Sequence, residues 1–218
     1  MERLILIFEI IGTISFALTG AMTGLKKQMD IFGVCVLGVT TAVGGGIIRD
    51  LILGLTPPSA FCDPTSVLIA IAVSIIVFFP AVRRIFYRNK WLYEHVLLLA
   101  DSAGLGIFTV CGARVAMEAG DGANRFLVIF VAALTGVGGG VLRDLFAGDR
   151  PYIFVKHVYA CSALLGALVC VYLWPLVGRD IAMLVGFVLV FAMRLCSAHF
   201  RWSLPHARRL AEEEEKIS

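Results

Sequence analysis

Apolar residues dominate the chain in long runs, and short polar or charged connections separate one run from the next. Each run approaches the roughly 20 residues that an α-helix needs to cross the hydrocarbon core of a bilayer. Helix-capping residues precede several runs, namely Asp30, the Asp63-Pro64 pair, Asn124 and Asp180. The pattern predicts seven transmembrane helices, over residues 4–25, 31–53, 64–86, 95–118, 124–147, 156–174 and 180–200.

Two parts of the chain are similar enough to be interpreted as a repeat. The segment TAVGGGIIRDL at 41–51 corresponds to TGVGGGVLRDL at 135–145, and Glu9 corresponds to Asp101. Each copy contains three predicted helices, so the second copy must enter the membrane from the opposite side. We therefore predict an all-α integral membrane protein with two inverted three-helix repeats, at 1–90 and 91–175, a seventh helix at 176–203 and a charged tail at 204–218.

Composition agrees with a membrane protein and argues against several other classes. The chain is 59% hydrophobic with a mean hydropathy of +0.90, which excludes an ordinary water-soluble domain. Its net charge is only +3, and the basic residues lie in connections, so nucleic-acid binding is not expected. Motifs of hydrolases, kinases and metalloproteases are missing, so we expect neither an enzyme nor a bound cofactor.

Lysine and arginine are distributed unevenly between the two sides of the predicted topology. One side receives mainly Arg3, Arg125 and Arg179, and the other receives Lys26, Lys27, Arg83, Arg84, Arg88, Lys90, Arg150, Lys156, Arg201, Arg208 and Arg209. Basic connections stay in the cytoplasm. We therefore predict a multi-pass protein of the cell's inner (plasma) membrane, with its N-terminus outside and its C-terminus in the cytoplasm.

Glycine triplets occupy corresponding positions in the two repeats and are the first candidate site residues, Gly44, Gly45, Gly46, Gly138, Gly139 and Gly140. Consecutive glycines weaken a helix and release backbone carbonyls, and such a break is tolerated at membrane depth where it is buried or lines a water-filled pathway. We expect the triplets to interrupt their helices along an ion pathway. The alternative is close helix packing, which small residues also permit.

An Arg-Asp pair follows each triplet, as Arg49-Asp50 and Arg143-Asp144. Ionised side chains inside a membrane need partners or water. Because neighbouring residues do not face each other on a helix, we expect pairing across the pseudo-twofold axis of the repeats, or with a neighbouring helix. These charges are predicted to lie near the pathway, and a purely structural ion-pair lock is the alternative.

Four further residues complete the candidate site. Glu9 and Asp101 are interpreted as vestibule acids that concentrate cations, although pairing with nearby arginines would also explain them. Thr41 and Thr135 carry hydroxyls that could replace part of an ion's hydration shell. Threonine hydroxyls also bond commonly to the carbonyls of their own helix, which is the alternative.

The paired motifs GGGIIRDLILGLTPP and GGGVLRDLFAGDRP, in this arrangement of helices, resemble the prokaryotic members of the TRIC family, the trimeric intracellular cation channels. The resemblance covers nearly the whole chain. It implies a homotrimer in membrane lipid, with a potassium-permeable pore for monovalent cations in each subunit, framed by the two glycine-containing helices and holding potassium only transiently. The Lys-Glu-Val motif of the animal members is missing here, so their regulation is not expected.

A second functional hypothesis comes from the same residues. Bacterial relatives have been described as possible amino-acid importers, which would make the chain a secondary transporter for a small amino acid such as glycine. Arg49 or Arg143 would then bind the substrate carboxylate, and Asp50 or Asp144 its ammonium group.

Overall fold

The computed structural model describes residues 2–120, 124–155, 158–200 and 202, and all regular structure within these residues is α-helical. Six helices are long and apolar enough to cross a membrane, and one shorter apolar helix accompanies them. The predicted all-helical membrane fold is therefore confirmed. The helices are α1 (Glu2–Lys26), α2 (Ile31–Ile52), α3 (Ser59–Cys62), α4 (Thr65–Phe78), α5 (Pro80–Arg88), α6 (Lys90–Glu118), α7 (Arg125–Phe146), α8 (Tyr152–Val155), α9 (Tyr159–Val177) and α10 (Arg179–His199).

The single helix predicted over 64–86 is wrong, because the chain forms α4 and α5 there with a break at Phe79. Pro80 has no backbone N–H to donate, and its ring disfavours a helical conformation at the residue before it. Helix α4 therefore ends after 14 residues, a length of about 21 Å at 1.5 Å per residue. This is less than the roughly 30 Å thickness of a bilayer's hydrocarbon core.

Helix caps agree with the sequence at two of the predicted positions. The side chains of Asp30 and Asn124 accept hydrogen bonds from the backbone N–H of Gly33 and Leu127, at 2.7 and 3.1 Å. Asp180 is not a cap, because α10 begins one residue earlier, after Gly178. Helix α6 starts at Lys90, earlier than predicted.

Helices α2 and α7 end in the same way. The N–H of Gly54 donates to Leu51 O and the N–H of Leu55 to Asp50 O, which is the Schellman arrangement. Gly148 and Asp149 repeat these two bonds at the end of α7. Gly54 and Gly148 take φ values of 69° and 70°, which explains why both positions carry glycine.

Small residues let the long helices pack closely in matched pairs. A Cβ on Gly20 of α1 would meet the Thr41 hydroxyl of α2, and one on Gly112 of α6 would meet the Thr135 hydroxyl of α7, each at 2.6 Å. The rings of Phe16 and Phe108 lie 5.2 Å apart between α1 and α6. These contacts pack α2 on α1 and α7 on α6, and the two helix pairs meet between α1 and α6.

Candidate functional site

The glycine triplets lie where α2 and α7 cross. A Cβ on Gly45 would press against the backbone carbonyl of Thr135, and one on Gly139 against the carbonyl of Thr41. Both helices remain continuous through their triplets, so the predicted interruption is wrong. Close backbone packing between the helices compensates for the low helix propensity of glycine, which was the alternative interpretation.

The contacts at the crossing also set its direction. Position 41 of α2 meets 139 of α7, and position 45 meets 135, so residue numbers rise along one helix as they fall along the other. The helices are therefore antiparallel at this point. Because each Arg-Asp pair follows its triplet, Arg49-Asp50 and Arg143-Asp144 lie on opposite sides of the crossing.

The Arg49 cluster consists of Arg49, Asp50 and Ser59. Asp50 Oδ1 accepts from Arg49 Nε at 2.7 Å, and its Oδ2 accepts from the backbone N–H and the hydroxyl of Ser59 at 2.8 and 2.7 Å. The Asp50 side chain is 2% exposed, and that of Arg49 is 11% exposed. Helix α3 therefore contributes two donors that satisfy a buried carboxylate at the end of α2.

The Arg143 cluster is larger and consists of Arg143, Asp144, Asp101, Arg194 and Tyr159. Arg143 Nη1 lies 2.8 Å from Asp101 Oδ1, and Arg143 Nε lies 2.9 Å from Asp144 Oδ1. The second oxygen of Asp101 lies 3.5 Å from Arg194 Nη2, and the Tyr159 hydroxyl donates to Asp101 at 3.4 Å. Two arginines and two aspartates thus form a neutral group in which no side chain of the four is more than 4% exposed.

Tyrosine rings and a backbone donor enclose this second cluster. The Arg194 guanidinium carbon lies 4.7 Å from the centroid of the Tyr159 ring, and that of Arg143 lies 5.0 Å from the Tyr152 ring. The backbone N–H of Tyr152 donates to Asp144 Oδ2 at 2.8 Å, much as Ser59 does to Asp50. The two aspartates of the repeated motif are therefore both held by the segment that follows their helix.

Neighbouring arginine and aspartate were expected not to pair, and pairing across the pseudo-twofold axis was one of two predicted alternatives. Both of these expectations are wrong. Each arginine pairs with the aspartate that follows it, through a long side chain that folds back so that Nε reaches the neighbouring carboxylate. The antiparallel crossing also places Arg49 and Asp144 on opposite sides of the glycine contact, so the two side chains cannot pair with each other. The other expectation, pairing with a neighbouring helix, is met by Arg143, whose partner Asp101 lies on α6.

Glu9 and Asp101 do not have equivalent surroundings. The Glu9 side chain is 45% exposed and lies 3.5 Å from Arg114 Nη2, whereas Asp101 is buried between two arginines. The Thr41 hydroxyl donates to Leu37 O at 2.6 Å and that of Thr135 to Val131 O at 2.7 Å. All four side chains therefore make the contacts that the alternative interpretations expected.

The sequence analysis missed Arg194 and Tyr159 of the Arg143 cluster and Ser59 of the Arg49 cluster. An arginine within the apolar run of the last helix is a signal of a buried charge interaction. Helix α10 therefore contributes a charge to the interior of the bundle.

Comparisons with known proteins agree with this architecture. A family model described as "Glycine transporter" matches residues 6–81 and 98–175. The UPF0126 membrane protein YvgT of Bacillus subtilis is 36% identical over 202 residues, covering 92% of this chain and 95% of that protein.

Solved structures give the same result. A TRIC cation channel is 38% identical with a TM-score of 0.82, covering 93% of this chain and 97% of that chain. A TRIC trimeric intracellular cation channel orthologue from Rhodobacter sphaeroides is 34% identical with a TM-score of 0.83, covering 91% and 99% of the two chains. The chain therefore belongs to the prokaryotic TRIC family.

Proposed function

We propose that the protein is a monovalent cation channel permeable to potassium. The observation that carries this proposal is the similarity to a solved TRIC cation channel over 93% of the chain and 97% of that structure. By the same similarity, and that to the orthologue described as trimeric, we propose a homotrimer with one pore in each subunit.

The proposed ion pathway follows the crossing of α2 and α7. Its centre is the contact between the glycine triplets, and the Arg49 and Arg143 clusters stand on its two sides. Conduction through it requires the close contact at Gly45 and Gly139 to loosen, so that backbone carbonyls and water replace part of the ion's hydration shell. Asp50, Asp144, Asp101 and Glu9 all lie beside arginines. We therefore propose that they favour cations through individual carboxylate oxygens along the pathway rather than through net negative charge.

The membrane topology that goes with this pathway has seven crossings in two inverted repeats. Together with the six long apolar helices, α4 completes the seven crossings, as the third in chain order, despite its 14 residues. Support comes from the antiparallel α2–α7 crossing and from the two segments that the family model matches, which begin near corresponding helices α1 and α6. The orientation that we propose for the inner membrane keeps the basic connections in the cytoplasm.

Recordings from purified protein in planar bilayers with asymmetric potassium chloride test the channel. Unitary currents that reverse near the potassium equilibrium potential are expected. A silent bilayer, together with saturable glycine uptake into liposomes made from the same preparation, would instead establish the transporter that the family model's description suggests.

A pair of variants tests the proposed pathway. Asp50→Asn removes a carboxylate held beside Arg49, and Asp30→Asn removes an exposed carboxylate from the other end of the same helix. We expect a lower conductance or a weaker cation preference only in Asp50→Asn, measured on preparations that elute as wild-type oligomer. Equal conductance and selectivity in both variants would remove Asp50 from the pathway.

A further inference from the structure

Helix α5 is basic and carries no acidic residue. Its sequence is PAVRRIFYR, and it joins α4 to α6. At 100° per residue, Arg83, Arg84 and Arg88 fall within an arc of about 140°, while Val82 and Phe86 fall within about 40° on the opposite side. The three arginines are exposed, and both of these apolar residues are partly buried.

The apolar side of α5 fixes it to one end of the helix bundle. Phe86 packs with Phe78 and Tyr93 against a buried group that contains Met22 and Leu25 of α1. Helix α1 ends one residue later, at Lys26. The arginines of α5 therefore lie beside the basic end of α1, and the patch is confined to this end of the molecule.

Two lysines at this end pair with carboxylates, whereas the arginines of α5 do not. Lys27 Nζ lies 2.6 Å from Asp149, and Lys90 Nζ lies 3.8 Å from Glu94. Among the described residues, Arg83, Arg84 and Arg88 have no carboxylate within ion-pair distance, and the Arg83 guanidinium lies 5.9 Å from the Phe78 ring. Three guanidinium groups are therefore available to an anionic partner.

The length of α4 sets the depth of this helix in the membrane. Because α4 measures about 21 Å and the hydrocarbon core about 30 Å, α4 is too short to carry the bend at Phe79 out of the membrane into water. Phe79 and Trp91, on either side of α5, are 62% and 64% exposed, as expected for aromatic residues at the interface. If α4 crosses the membrane, as proposed above, α5 therefore lies close to the lipid headgroups.

We propose that α5 is a membrane-surface helix whose arginines bind the phosphates of anionic phospholipids, such as phosphatidylglycerol, in the adjacent leaflet. The guanidinium fork matches a phosphate in geometry as well as charge. Each basic residue near an anionic surface adds roughly a fivefold preference for it. The three arginines thus recruit anionic lipid to one end of each subunit, whatever ion the protein conducts.

Trp91 is a natural reporter for this site. Trp174→Phe with Trp202→Phe leaves it as the only tryptophan of the chain. This protein is reconstituted in phosphatidylcholine vesicles that contain either brominated phosphatidylglycerol or brominated phosphatidylcholine at equal mole fraction. We expect stronger quenching of Trp91 by the anionic lipid, and a preference that falls as salt is raised.

Two triple variants separate charge from structure. Arg83→Gln, Arg84→Gln and Arg88→Gln together should abolish the preference, while the corresponding three Arg→Lys changes should retain most of it.

Because the salt titration uses the arginine-containing protein, the proposal stays testable if the glutamine variant does not fold. Equal quenching by the two lipids in the arginine-containing protein, or an unchanged preference in a folded glutamine variant, would overturn the proposal. Loss of the preference on adding inorganic phosphate at constant ionic strength would overturn it too, in favour of a site for free phosphate.

Discussion

Asp101 and Glu9 occupy corresponding positions in the two sequence repeats, and the contrast between them shows what burial does to an ion pair. Asp101 lies within 3.5 Å of two buried arginines, whereas Glu9 is 45% exposed beside Arg114. An exposed pair contributes little, because water screens it. Removing one member of a buried pair costs far more, because the remaining charge is left without compensation.

We expect Asp101→Asn to lower the free energy of unfolding by about 3 to 5 kcal/mol, because it leaves Arg194 without its carboxylate partner. Glu9→Gln, the matched control, should change it by less than about 1 kcal/mol. Equilibrium unfolding in detergent micelles provides the measurement. If the two variants unfold at the same denaturant concentration, the Arg143 cluster contributes no more than a surface pair.

At the residue scale, the sequence was sufficient to locate the charges of the repeated motif, but not Arg194 and not the partners of these charges. Arginine and aspartate inside apolar runs stand out, and the repeat identified Arg143 with Asp144 as a pair of interest. Arg194 and Asp101 lie far apart in the chain. Arg194 reaches Asp101 only because α10 packs against α6. Such pairing follows from tertiary packing and leaves no local pattern.

The crossing of α2 and α7 is the main feature at the scale of elements. Its backbones approach so closely that neither Gly45 nor Gly139 has space for a methyl group. Repetition of the triplet predicted that these helices matter. The sequence could not decide between interrupted helices and close packing, since both require small residues. The break between α4 and α5 did have a local signal, Pro80, which the length of the apolar run obscured.

Gly45→Ala should destabilise the protein by about 1 to 3 kcal/mol, because its Cβ meets the Thr135 carbonyl and the helices must separate. Gly46→Ala is the matched control, since its nearest neighbour is the flexible Arg49 side chain at 3.7 Å. There the higher helix propensity of alanine should leave stability unchanged or raise it by up to about 1 kcal/mol. Thermal unfolding of both variants in detergent checks the difference, and equal midpoints would mean that the crossing is looser than the structure shows.

At the scale of the whole molecule, cations collect at one end of the bundle. The pair formed by Lys27 and Asp149 joins the ends of α1 and α7 there, next to α5 with its three arginines. The pair formed by Arg179 and Glu118 joins the start of α10 to the end of α6. This asymmetry is readable from the sequence once the helices are placed. From the positive-inside rule we propose that the arginine-rich end faces the cytoplasm.

Cys62 is a natural cysteine of the chain, and its chemical labelling tests that orientation without an introduced thiol. It lies exposed on α3, and α4 separates it from α5 and Lys90. If the basic end faces the cytoplasm, Cys62 faces outside. It should then react with a membrane-impermeant maleimide added to cells whose outer membrane or wall admits the reagent and whose inner membrane is intact. Cys111 and Cys170 should not react, because both thiols are buried and the reagent cannot reach them.

The matched control carries Cys62→Ser together with Lys90→Cys, at a side chain that is 88% exposed on the other side of α4. Its labelling should require lysis of the cells, because the added thiol would face the cytoplasm. Cys62→Ser alone sets the background from Cys161 near the start of α9, Cys196 near the end of α10 and the partly buried Cys35. If instead the Lys90→Cys protein is labelled in intact cells and Cys62 only after lysis, the topology is inverted. The arginines of α5 would then contact the outer leaflet.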